Sequence, residues 1–140
     1  FSEETAMTKV ADVMTRRVVS VRTDATLSEA LTYLATQHIS GAAVTDPKQR
    51  LVGALTRSDI MEAEAEIGDP AKRGRFLEET LVRELMSSPA LTIGPEAELR
   101  EAALAMEYGD IHRLFVEANG DLVGVVSRSD VSRALATGKG

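Results

Sequence analysis

The stretch Leu51-Val-Gly53-Ala-Leu-Thr56-Arg57-Ser58-Asp59-Ile60 returns in the second half of the chain as Leu122-Val-Gly124-Val-Val-Ser127-Arg128-Ser129-Asp130-Val131. In both copies an apolar run ends at a hydroxyl residue, and a carboxylate follows three residues later. That order reads as a strand running into a helix start. Working back from it, one constant shift lays Val10-Ala-Asp-Val-Met14-Thr15 on Val82-Arg-Glu-Leu-Met86-Ser87. The same shift lays Leu27-Ser-Glu29-Ala30 on Leu99-Arg-Glu101-Ala102, and Ile39 on Ile111. A single deletion in the second turn brings the two quoted stretches into line. A shared register over so many segments marks an internal duplication. Each copy is about fifty residues, too small for a robust core of its own, so the halves are expected to pack against each other.

Both halves read alike. Val18 to Val21 and Ala90 to Ile93 are short β-prone runs. Leu27, Ala30, Leu31 and Leu34 recur at helical spacing, and so do Leu99, Ala102, Ala103 and Met106. Thr26 or Ser28 is placed to cap the first of these helices, and Pro95 suits the approach to the second. Paired apolar runs follow: Ala42–Val44 and Leu51–Leu55 around Asp46-Pro47-Lys48-Gln49, then Leu114–Val116 and Leu122–Val126 around Ala118-Asn119-Gly120-Asp121. Asn-Gly is a strong hairpin signal. A last helix starts near Ser58 and near Ser129. The fold class is therefore α/β, with the order β-α-β-β-α in each repeat. The expected divisions are a tail at 1–9, a first repeat at 10–66, a helical linker at 67–81, a second repeat at 82–136 and a tail at 137–140. The linker region, Glu62 to Thr80, is charged and helix-prone, with a break at Gly68-Asp69-Pro70, and reads as a surface connection.

Composition narrows the function. The chain of 140 residues carries a formal net charge of −6, which disfavours general binding to a nucleic-acid backbone. It has no cysteine, so disulfides, cysteine–zinc sites and thiol nucleophiles are excluded. No apolar run approaches the ~20 residues of a membrane span, so no membrane contact is expected. Phe1 to Thr8 show no apolar signal region, and a cytoplasmic location is the expectation. Catalysis is not expected either. His38 and His112 stand outside any zinc-binding pair, and neither a Gly-x-Ser-x-Gly elbow nor a phosphate-binding glycine loop occurs. Glu62, Glu64 and Glu66 alternate, so a helix does not gather all three on one face, and the run reads as a solvated acidic surface.

Two kinds of residue bear on ligands. In Gly53-x-x-Thr56-x-x-Asp59 and Gly124-x-x-Ser127-x-x-Asp130 the carboxylate sits in the first helical turn. It can accept from a ribose diol, or it can close a capping box with the hydroxyl residue; the two roles are compatible. Arg113, beside His112, suits phosphate oxygens or an exposed strand entry. The first repeat has Ser40 and Gly41 at the matching places. Arg57 and Arg128 are either further phosphate ligands or solvated helix-start arginines.

The Val-Met14-Thr15 and Leu-Met86-Ser87 pieces, the Leu-x-Glu-Ala helix starts and the duplicated Gly-x-x-Thr/Ser-x-x-Asp resemble the CBS family, over nearly the whole chain from Val10 to Leu135. One departure is visible: the proline common in the second strand is Ala43 in one repeat and Phe115 in the other. The resemblance implies a pseudo-twofold pair with two clefts that bind AMP, ADP, ATP, NAD or S-adenosylmethionine. It implies that Asp130, Ser127, His112 and Arg113 work with Thr15, Ser20 and Ile39, while Asp59 and Thr56 work with Ser87, Thr92 and Ile111. Ile39 and Ile111 would clamp the adenine. His112-Arg113-Leu114 is similar to the phosphate-meeting segment of kinase-regulating members. No cofactor is required; an adenine nucleotide is the regulatory ligand. A homodimer that modulates a separate protein is the expected setting. The rival expectation is a structural dimerisation module with no ligand.

Overall fold

The computed structural model describes residues 8–109, 111 and 113–137. It divides into two compact units. One is Val19–Ala90; the other joins the chain before Val19 to the chain from Leu91 onward.

In the first of these, β1 (Ser20–Arg22), α2 (Leu27–Gln37), β2 (Gly41–Thr45), β3 (Leu51–Thr56) and α3 (Arg57–Ala65) realise the expected β-α-β-β-α order. The sheet order is β1-β2-β3. β1 and β2 run parallel, which requires the α2 crossover, and β2 and β3 form an antiparallel hairpin. Thr26 is the residue that caps α2: its hydroxyl accepts from the Glu29 N–H at 3.1 Å, and Glu29 accepts from the Thr26 N–H at 3.0 Å. β2 is buried along its whole length, as a continuous apolar run requires. The second unit repeats the plan with β4 (Thr92–Ile93), α6 (Leu99–Gly109), β5 (Arg113–Ala118), β6 (Asp121–Ser127) and α7 (Arg128–Ala136), in sheet order β4-β5-β6. Its hairpin turns at Asn119 and Gly120, with φ of 55° and 87°. Both residues take the positive φ that a two-residue hairpin turn demands, which explains the Asn-Gly signal. Each hairpin shifts register at the same place, Val44/Thr45 and Val116/Glu117.

Two short helical turns precede the strands, α1 (Val10–Val13) and α5 (Val82–Leu85). They do not pack where the duplication assigns them. Val10 is fully buried in the core of Leu99, Met106, Leu114, Val116 and Val126. Val82 is fully buried with Leu27, Leu34, Val44, Leu55 and Ile60. Each repeat thus receives its last core valine from the segment that leads into the other repeat. The backbone agrees: Val10 N donates to Ala97 O at 2.9 Å, and Val82 N donates to Ala25 O at 2.8 Å. The linker contributes more than a surface connection. Asp69 caps α4 (Pro70–Glu79), and Phe76 and Leu77 pack on the Leu27 core.

Past each turn the chain forms a one-residue antiparallel bridge, Thr15 with Val125 and Ser87 with Ala54. Thr15 and Val125 exchange backbone bonds of 2.8 and 2.9 Å; Ser87 and Ala54 exchange two of 2.9 Å. The bridge passes directly over a glycine. A Cβ at Gly124 would lie 2.6 Å from Met14 Sδ and 3.0 Å from Thr15 O. A Cβ at Gly53 would lie 2.6 Å from Ser87 O and 2.9 Å from Met86 Sδ. Gly53→Ala must therefore displace backbone and should destabilise by about 1–3 kcal/mol in urea unfolding, the range of overpacked sites. Gly74→Ala, where nothing lies within 4 Å on a helix, should instead stabilise by about 0.5–1 kcal/mol. Equal effects at the two sites would contradict the close approach at Gly53.

Candidate functional site

The duplicated hydroxyl–carboxylate pairs sit at the starts of α3 and α7. Thr56 is the N-cap of α3: its hydroxyl accepts from the Asp59 N–H at 3.1 Å, and Asp59 Oδ2 accepts from the Thr56 N–H at 3.2 Å. Ser127 and Asp130 repeat the box at 3.1 and 3.3 Å. The capping role read from the spacing is thus present in both copies. It occupies one oxygen of each acid. The other oxygen of Asp130 lies 3.7 Å from Arg133 Nη1, an ion-pair distance too long for a hydrogen bond. Both aspartates are half-buried.

Strand register brings other candidates to the same edge. Arg113 is the cross-strand partner of Ser127, and Gly41 that of Thr56. Thr15 is bridged to Val125, which lies two residues before Ser127; Ser87 is bridged to Ala54, which lies two before Thr56. Thr15 and Ser87 are both exposed. Ser20 and Ile39 belong to the unit that holds Asp59, and Thr92 and Ile111 to the unit that holds Asp130. Ile39 and Ile111 are half-buried and lean on the cores of their own units. His112 lies outside the described residues.

The two helix-start arginines differ. Arg57 is exposed, and its backbone N–H donates to Ser40 O at 2.7 Å. Arg128 is half-buried, and its Nη2 donates to the carbonyls of Met106 at 3.0 Å and Ile111 at 2.9 Å. That guanidinium serves the carbonyls at the end of α6, where orphan acceptors collect. Neither the phosphate reading nor the solvated reading anticipated this contact. The signal was the Arg at the same place in both repeats, which conceals different surroundings. The described residues contain no cluster of three or more histidine or acidic side chains fit for a metal ion. None of the described helices is long and apolar enough to cross a membrane.

This arrangement matches the CBS-domain family over residues 10–66 and 82–137. The chain belongs to the CBS-domain family. Solved structures agree with two CBS domains in tandem. The CBS domain of a CBS-domain-containing membrane protein from Sphaerobacter thermophilus is 26% identical, with a TM-score of 0.79, covering 94% of this chain and 90% of that one. CBSX2 in complex with AMP is 27% identical, with a TM-score of 0.78, covering 95% and 99%. Among curated relatives, MJ1404 of Methanocaldococcus jannaschii is 28% identical over 138 residues, 92% of this chain and 32% of its own length. The inosine-5′-monophosphate dehydrogenase of the same organism is 28% identical over 127 residues, 90% of this chain and 23% of its own length. The chain thus spans about a third of MJ1404 and about a quarter of the dehydrogenase.

The unequal arginines give a direct test. Arg128→Met should destabilise by about 1.5–3 kcal/mol, because charge-assisted bonds to two carbonyls are lost. Arg57→Met should stay within about 0.5 kcal/mol of the parent, as exposed surface changes do. Chemical denaturation of both variants checks the difference. Equal losses would mean that the Met106 and Ile111 contacts contribute nothing.

Proposed function

We propose that this CBS pair is a non-catalytic regulatory module that binds an adenosyl ligand through Asp130 and Asp59. The observation that carries the reading is the half-used carboxylate at each helix start. The cap holds one oxygen of the acid, and the second remains able to accept from a ribose diol. The helix start also presents Ser127 or Thr56 as a further polar contact, with Arg113 in register for a 5′ phosphate on the second repeat. AMP in CBSX2, at 27% identity, supports an adenine nucleotide as the ligand class. Within the unit that holds Asp130, we propose Thr15, Arg113, Ser127 and Arg128 for its ligand. Within the unit that holds Asp59, we propose Thr56, Arg57 and Ser87 for its ligand. Ligand binding shifts a population of states that a partner protein reads. The match to a segment of a dehydrogenase supports attachment to, or association with, a larger regulated protein. A cytoplasmic homodimer completes the reading. Its helical surface would be that of α6 and α7, where Leu104, Tyr108 and Leu135 are exposed.

Two measurements test the ligand role. Asp130→Ala should weaken AMP binding by about 1.5–3 kcal/mol, the scale of a hydrogen bond to a charged group. Its lost cap should reduce stability by about 1 kcal/mol. Asp130→Asn keeps an acceptor and should be milder on stability. Calorimetric titration and thermal unfolding separate the two effects. Unchanged AMP affinity in both variants would leave the acid as a cap alone. A second comparison uses the ligand: 2′-deoxy-AMP should bind more weakly than AMP. A flat thermal response to AMP, ATP, NAD and S-adenosylmethionine would favour the ligand-free dimerisation module.

A further inference from the structure

The two helix starts are built alike but charged differently. Position by position, Gly41 corresponds to Arg113, Arg57 to Arg128, Asp59 to Asp130 and Glu62 to Arg133. The first and last of these pairs differ in charge; the middle two do not. Arg113 stands across the strand from Ser127, where Gly41 stands across from Thr56. Arg133 follows Asp130 by one helical turn and reaches to 3.7 Å of its carboxylate. Glu62 follows Asp59 by the same turn on α3 and is exposed. Residues three apart on a helix share a face, so each ribose acid has its own charged neighbour. One neighbour is positive and offsets the acid. The other is negative and adds to it.

We infer that the two repeats sort adenosyl ligands by charge, with Arg133 and Glu62 as specificity-determining residues. The inference rests on the adenosyl-binding reading above. The second repeat takes an adenosine phosphate. The first takes an adenosyl compound whose 5′ substituent carries no negative charge, such as a thioether, or carries a positive one, such as a sulfonium. The physical ground is plain. A phosphate brought to the start of α7 meets Arg113 and Arg133 beside one aspartate. The same phosphate brought to the start of α3 meets Arg57 against Asp59 and Glu62. Like charges at an exposed site act over roughly a Debye length, about 8–10 Å at moderate salt. Positions one helical turn apart fall inside that range. The ammonium or sulfonium of a cationic ligand reverses every sign in the comparison. In a chain of net charge −6, a local excess of cations is also what holds a polyanion against the field of the whole molecule.

The test uses the intact chain in calorimetric titrations with AMP, adenosine, 5′-methylthioadenosine and S-adenosylmethionine. Asp59→Ala and Asp130→Ala backgrounds assign each isotherm to a repeat. In the Asp59→Ala background, Arg133→Glu should weaken AMP about three- to tenfold and leave adenosine within about twofold. Arg133→Gln should give a smaller loss in the same direction, and it preserves the reading if the charge reversal unfolds the protein. In the Asp130→Ala background, Glu62→Arg should strengthen AMP and weaken S-adenosylmethionine, with 5′-methylthioadenosine little changed. All of these differences should shrink between low and high salt. Equal losses for AMP and adenosine would overturn the inference and make Arg133 a positioning residue for Asp130. Unchanged affinities in every variant would overturn it outright while leaving the adenosyl reading intact. If wild type binds none of the four compounds, the adenosyl reading itself fails, and the inference with it.

Discussion

The methionine-under-glycine bridge is the constraint on which both units depend. Thr15 bonds to Val125 and Ser87 to Ala54, and in each case a methionine and a backbone oxygen press against a glycine that has no side chain to give way. The bridge fixes a short helical turn, and the turn delivers a fully buried valine, Val10 or Val82. A buried valine is worth about 1.5–3 kcal/mol, a sizeable share of what a repeat of about fifty residues can muster. Neither repeat therefore closes its core with its own contiguous chain. The two bridges also differ in chain length. The Ser87 bridge closes a loop of roughly 33 residues and the Thr15 bridge one of roughly 110. Loop entropy grows slowly with length, so the longer closure is dearer by only about 1 kcal/mol. That is small beside the valine it brings in, and it explains how one geometry serves at both ends of the chain.

Much of this was legible from residues alone. The duplication placed the strands and long helices, because apolar periodicity in Leu27–Leu34 and Leu99–Met106 survives in both copies. Asn119-Gly120 announced its turn through chemistry that only positive φ explains. The leading turns α1 and α5 escaped, since four residues carry too little periodicity. Their signal was subtler: Asp12 and Glu84 stand at matching places and accept from the N–H groups of Lys9 and Leu81. The glycines of the duplicated stretch fall inside the hydroxyl–carboxylate motif, while their structural duty is to admit Met14 and Met86. Phe76 and Leu77 were hidden in a charged linker, where two adjacent apolar residues do not register as a core face. Partner identity for Val10 and Val82 was beyond reach for a deeper reason. A repeat pattern says which residues are equivalent, not which copy each one packs in.

The candidate site inherits its rigidity from this scaffold. Gly53 and Gly124 lie on the same strands that end at Thr56 and Ser127, so the bridge that seats each glycine also steadies the strand three residues before each cap. The cap then orients the carboxylate before any ligand arrives. An acid already held by its own helix loses little freedom on accepting a diol, which is the benefit of preorganisation. The arrangement also links binding to helix stability. A ligand that pulls the aspartate from its cap must give up that bond, so a ligand that leaves the cap intact and uses the second oxygen binds at less expense. In the second repeat that other oxygen of Asp130 has Arg133 Nη1 for its neighbour at 3.7 Å.

Signalling from such a site requires an element that differs between bound and free states, because a ligand shifts an equilibrium only by its differential affinity. Arg128 supplies a route within the second repeat. It sits next to Ser127 in the chain, and its guanidinium grips the carbonyls of Met106 and Ile111 where α6 ends. The α7 start is thereby bonded to the end of α6, the helix that exposes Leu104 and Tyr108. In the first repeat Arg57 is exposed, and its backbone N–H is held by Ser40. Among the described residues no bond ties the Arg57 guanidinium to the end of α2. The two helix starts share one cap design, and among the described residues only the second has its arginine side chain bonded to the carbonyls at the end of the preceding long helix.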